Sequence, residues 1–98
     1  MDKIELINDI PELEDKYKER VKYFIISGLI TLDEWNTRFK SYRDNYGYSI
    51  IHYLECVFND INIFVTVNPI MLKNKKDLEK RFKVKVMTPK EFGERIKN

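Results

Sequence analysis

The sequence has no alanine and no glutamine, and it carries only three glycines, three prolines, one cysteine, one histidine and one tryptophan among 98 residues. A single cysteine, Cys56, excludes an internal disulfide and any cysteine-rich zinc site. No Walker motif, dinucleotide-binding glycine pattern, HExxH pair or zinc-finger spacing occurs. No apolar run approaches the ~20 residues that a membrane span needs. The opening stretch MDKIELINDI is acidic and lacks the apolar core of a signal peptide. With 43% hydrophobic residues and a net charge of only +2, the chain is too apolar and too weakly charged for disorder. Twelve isoleucines and thirteen lysines dominate what is there. At 11.9 kDa, area scaling buries about two-thirds of the unfolded surface, enough for one core. The expectation is therefore a single domain over 1–98, soluble and cytoplasmic.

Charge is uneven along the chain. Residues 1–34 carry a net −4, residues 35–68 balance, and residues 69–98 carry +6. Lys73, Lys75, Lys76, Lys80 and Arg81, continued by Lys83 and Lys85, make the strongest positive run and are the candidate nucleic-acid contacts. The competing reading is a solvated helix face followed by a lysine-bearing edge strand.

The hydrophobic pattern alternates strands with helices. Lys3–Ile7 is apolar enough for a short strand, and Asp9 with Pro11 marks a helix start. Leu13, Tyr17, Val21, Phe24 and Ile25 form one helical stripe, with Gly28 as the stop. Thr31-Leu-Asp-Glu34 fits a capping box, and Trp35, Phe39 and Tyr42 carry an apolar stripe toward Asn45. Residues 49–58 read as a buried helix, and Asn59-Asp60 as a turn. Ile61–Val67 is the clearest strand, apolar on both parities from Ile63 and so expected to be buried on both faces. Asn68-Pro69 suits a helix cap, residues 69–82 one or two short helical stretches, and Lys83–Met87 a half-exposed or edge strand. Thr88-Pro-Lys-Glu91 is a second capping box opening a last helix to about Ile96. Such alternation implies crossovers and an α/β fold: a small, mostly parallel sheet flanked by helices.

The last fifty residues resemble the C-terminal half of a PIN-like domain. The resemblance rests on His52 in a helix, then Phe64-Val-Thr-Val-Asn68, Leu78 with Arg81-Phe82, and Val84-Lys-Val-Met-Thr-Pro-Lys-Glu-Phe92. It implies a truncated PIN-like architecture. It also implies the family's metal-dependent ribonuclease chemistry, often as the toxin of a toxin–antitoxin pair, with carboxylates holding Mg²⁺ or Mn²⁺. The sequence departs from that pattern where the chemistry is made. The acid expected after the buried strand falls at Asn68, and the acid expected three residues before the helical histidine falls at Ser49, both neutral. Asp9, in Ile7-Asn8-Asp9, and Glu34 are the remaining candidate catalytic and metal-ligating residues. Two carboxylates hold a reluctantly dehydrating Mg²⁺ weakly.

The resulting expectation is a degenerate PIN-like domain, catalytically weak or inactive, acting through protein or weak RNA binding. The alternatives are an active Mg²⁺- or Mn²⁺-dependent ribonuclease and a small interaction protein unrelated to nucleases. Self-association or a protein partner is expected because a truncated sheet leaves apolar surface uncovered. No cofactor is expected unless the nuclease is active. His52 and Cys56 read first as helix residues packed in or beside the core. The aromatic group Trp35, Phe39, Tyr42, Tyr46, Tyr48 and Tyr53, interleaved with Arg38, Lys40 and Arg43, could stack bases, but spacings of three and four favour packing.

Overall fold

A computed structural model describes residues 15–42 and 49–97. The expected strand at Lys3–Ile7, the helix start at Asp9 and Pro11, and Leu13, Arg43, Tyr46, Gly47 and Tyr48 lie outside the described residues. The chain divides into two compact units, the first running to Ser41 and the second beginning at Tyr42.

In the first unit, helix α1 (Asp15–Ile26) buries Val21 and Phe24, two members of the stripe read from the sequence. It ends in a Schellman motif. Leu29 N–H donates to Phe24 C=O at 3.0 Å and Gly28 N–H to Ile25 C=O at 3.1 Å. Gly28 takes φ +84°, a conformation that costs a side-chain-bearing residue about 1–2 kcal/mol. Helix α2 (Leu32–Thr37) opens with the expected capping box. Glu34 N–H donates to Thr31 Oγ1 at 3.0 Å, and Thr31 N–H to Glu34 Oε1 at 2.9 Å. The apolar stripe beyond Trp35 continues as a short 3₁₀ segment (Phe39–Tyr42) rather than as one long helix. Ile30, Leu32, Trp35 and Phe39 are buried.

The second unit runs α3 (Ser49–Phe58), β1 (Ile63–Val65), α4 (Pro69–Lys73), α5 (Lys75–Phe82), β2 (Lys85–Met87) and α6 (Pro89–Ile96). β1 and β2 pair in parallel, with Ile63 against Lys85, Phe64 against Val86 and Val65 against Met87. Parallel neighbours need a crossover, and α4 and α5 supply it, both packing against β2. α3 packs against β1 and α6 against β2. The α/β class and the small parallel sheet flanked by helices are thus observed.

Local chemistry fixes each joint. α3 ends in a second Schellman motif, with Ile61 N–H donating to Cys56 C=O and Asp60 N–H to Val57 C=O, and Asp60 at φ 57° in the glycine position. Asn68 caps α4: its Oδ1 accepts from Ile70 N–H at 2.9 Å and Met71 N–H at 3.3 Å, with Pro69 at the first helical position. Asn74, without glycine or proline, separates α4 from α5. Thr88 and Glu91 close the last capping box at 3.1 Å in both directions. Hydrogen bonding from Thr88, first from its backbone N–H and then from its side chain, holds the Glu91 carboxyl below its ordinary range.

The core of this unit gathers on Tyr53. Its ring meets Phe64 edge-on at 5.6 Å and Phe82 at 6.0 Å, and its hydroxyl donates to Val84 C=O at 2.7 Å. One side chain therefore ties α3 to β1, α5 and the approach to β2. Ile50, Ile51, Leu54, Met71, Leu78 and Val86 are also buried in this unit, each contributing roughly 1.5–3 kcal/mol by burial. Tyr53 belongs to this packing and not to a base-stacking surface, and Trp35, Phe39 and Tyr42 are themselves buried rather than displayed for stacking.

β1 departs from the sequence expectation. Phe64 faces Tyr53, but Ile61, Val65 and Val67 on the opposite face are exposed. The strand is covered on one face only. Uniform apolarity reads as two-sided burial in a full α/β sheet, and here a second layer is missing from that face among the described residues.

Candidate functional site

The two strands are parallel, so their carboxyl ends emerge on the same side of the sheet. In open α/β sheets ligands bind in the crevice beyond those ends. A shallow cleft of about 420 Å³ lies there, lined by Ser49 and His52 from the first turn of α3, Phe64 to Asn68 from β1 and its exit, and Pro89 from the exit of β2. Every lining residue belongs to the second unit. The positions that the PIN-like pattern marks, Ser49, His52 and Asn68, all line this one cleft.

Its chemistry is mostly apolar, with a few polar groups. Phe64, Val65, Val67 and Pro89 form the walls. Thr66 Oγ1 accepts from Asn68 N–H at 3.0 Å, which fixes the turn out of β1. Asn68 is the unusual member, because only 1% of its surface is exposed. Its Oδ1 is committed to the α4 cap, whereas its Nδ2 is buried with no hydrogen-bond partner among the described residues. A buried amide donor left unpaired costs on the order of 1–3 kcal/mol, and groups of this kind mark places where something else completes the bonding.

A PIN-like fold implies Mg²⁺ or Mn²⁺, and this lining does not fit either ion. Hard cations need several anionic oxygens. No carboxylate lines the cleft. The one amide oxygen already accepts two backbone N–H groups, and the amide's remaining group is a donor, which repels a cation. Among the described residues no three His, Cys, Asp or Glu side chains gather as a metal-binding group.

Glu34 belongs to the first unit, where its carboxylate accepts from Thr31 N–H in the capping box. Asp9 lies outside the described residues. Cys56 is half-buried on α3, and burial pushes its thiol pKa up, away from the reactive thiolate.

The basic run does not make a single track. Lys73 ends α4, and Lys75, Lys76, Lys80 and Arg81 follow on α5. At about 100° per residue these four point around more than half of the helix, with Asp77 and Glu79 between them. Lys75 pairs with Glu91 at 3.6 Å, and the Arg81 guanidinium sits 4.6 Å from the Phe82 ring centre. The arrangement favours diffuse attraction of phosphates over a built groove.

Sequence reasoning singled out Ser49, His52 and Asn68 but treated them separately. It missed the cleft walls Val65, Val67 and Pro89 and the unpaired Asn68 amide. No local pattern signals these, because the cleft exists only once β1 and β2 lie side by side. No helix among the described residues is long and apolar enough to cross a membrane. Comparison of the chain with protein-family models, with curated proteins and with solved structures gives no match.

Proposed function

We propose that the chain contains a degenerate PIN-like domain, a catalytically weak or inactive relative of metal-dependent ribonucleases that acts by binding. The observation that carries this reading is the cleft lining. The three positions marked by the resemblance line one cleft at the carboxyl ends of parallel strands, yet the two where it expects acids, Ser49 and Asn68, carry a hydroxyl and an amide beside His52. Water activation and neutralisation of a scissile phosphate both need the ion that such carboxylates would hold.

Binding then falls to two surfaces. The apolar walls and the unpaired Asn68 donor suit a protein segment that presents a carbonyl or carboxylate oxygen beside an apolar side chain. The exposed lysines of α4 and α5 add weak, sequence-independent attraction for RNA. RNA binding is tested by fluorescence anisotropy with a labelled single-stranded RNA over a salt series. The expected result is weak binding, with log affinity falling by about 0.7 per contacted phosphate for each log unit of salt. Charge reversal at Lys76 and Lys80 flattens the slope. A flat response in the unmodified protein would remove RNA from the proposal.

A further inference from the structure

We infer that the edge of β1 turned away from β2, unpartnered among the described residues, is a self-pairing edge, on which β1 of a second copy lies antiparallel with the two-fold axis at Phe64. This inference rests on the strand and not on the PIN-like reading, although Val65 and Val67 also line the cleft.

The backbone sets the geometry. Lys85 N–H donates to Asn62 C=O at 2.9 Å and Thr66 N–H to Met87 C=O at 2.8 Å. Residues 62, 64 and 66 therefore turn their backbone toward β2, and the odd residues turn theirs away. The outward groups of Ile63 and Val65 have no partner among the described residues. The other edge of the sheet is closed. There the Val86 N–H donates to Glu79 Oε2 at 2.9 Å, and exposed Lys83 and Lys85 add the charge that discourages pairing. The two edges of one small sheet are thus treated in opposite ways.

The side chains indicate what covers the outward edge of β1. In a chain with 35% charged residues, Ile61–Val67 carries no charge. Ile61, Val65 and Val67 are 49%, 39% and 64% exposed, and they share with Ile63 the face opposite Tyr53. Antiparallel self-pairing about Phe64 sets Ile61 against Val67 of the second copy and Ile63 against its Val65. The outward N–H and C=O groups then meet their complements, and Ile61, Ile63, Val65 and Val67 each meet a β-branched partner, a pairing that stabilises antiparallel strands. The same register sets Asp60 opposite Asn68, so no like charges meet. A strand-edge contact of this length buries less than the roughly 1,200 Å² of a stable interface. The dimer is therefore expected to depend on concentration.

The test uses the full chain in two ways. Sedimentation velocity is expected to show a monomer–dimer equilibrium that reaches dimer at about millimolar concentration. Val65→Pro is expected to stay monomeric. Proline removes an outward N–H without removing a bond to β2, and prolines are tolerated on edge strands. In a Cys56→Ser background, the double variant Ile63→Cys/Val65→Cys is expected to give a disulfide-linked dimer on mild oxidation, because hydrogen-bonded antiparallel partners sit about 5.5 Å apart at Cα, within disulfide reach. Neither single variant is expected to do so. A wild type that remains monomeric at the highest concentration, or that dimerises no more than Val65→Pro, would overturn the inference. Equal cross-linking of the single and double variants would overturn the register.

Discussion

Replacing Tyr53 with alanine is expected to destabilise the second unit by about 3–5 kcal/mol, the range for deleting a buried aromatic ring. The ring is fully buried and meets Phe64 and Phe82, and its hydroxyl holds Val84 C=O. Tyr53→Phe isolates the hydroxyl: it keeps the ring contacts and leaves a buried carbonyl unpaired, for an expected loss of about 1–3 kcal/mol. The same hydroxyl gives a pH signature. Burial, followed by the nearby Glu79 and Cys56 charges, pushes the Tyr53 phenol well above its ordinary value of 10.0. Its contribution is complete below pH 10, where the phenol is neutral in both states. It is lost as pH rises from 10 toward the folded value, because only the unfolded chain releases the proton there. Urea unfolding between pH 7 and 11 is therefore expected to show an alkaline decline that is smaller in Tyr53→Phe. Trp35 lies in the first unit, so its fluorescence reports on that unit. Backbone amides of Val84 and Val86 followed by NMR report on the second.

The second large effect concerns the cleft. Ser49→Asp combined with Asn68→Asp puts two carboxylates beside His52 in the space where the natural residues are neutral. Aspartate caps a helix as well as asparagine does, so the substitution at position 68 keeps the cap of α4. Without metal, two nearby carboxylates repel and raise each other's pKa, and the variant is expected to melt below wild type at neutral pH. Mn²⁺ is expected to reverse the loss. At one hundred times its Kd a ligand adds about 2.7 kcal/mol, which a thermal-shift titration resolves. Wild type is expected to show no shift over the same series. A double variant with no response to Mn²⁺ would separate these positions from the metal-holding role that the resemblance assigns them.

Legibility in the sequence follows the range of each interaction. The capping boxes at Thr31/Glu34 and Thr88/Glu91 and the Asn68 cap are each made within three residues, and all are readable from local pattern. The alternation of Val84 and Val86 with Lys83 and Lys85 marks the half-exposed strand that is observed. The spacing of Tyr53 favours packing, but its place at the centre of the core is not legible, because its hydroxyl partner lies 31 residues away. The exposure of β1 is hidden for a different reason. Apolar residues on both parities carry no signal for which face lacks a covering layer. The break at Asn74 has no glycine or proline to announce it. At the candidate site, residue types are legible and their convergence is not, since it depends on β1 and β2 pairing in one register.

The central claim is that this cleft binds without metal-dependent cleavage. Its most direct test is incubation of the full chain with single-stranded RNA and Mn²⁺, beside Glu34→Gln, with products resolved on a gel and metal binding followed by calorimetry. The expected result is intact RNA and no heat of Mn²⁺ binding in either protein. RNA cleavage that requires Mn²⁺ and disappears in Glu34→Gln would contradict it and establish a working carboxylate site that includes Glu34.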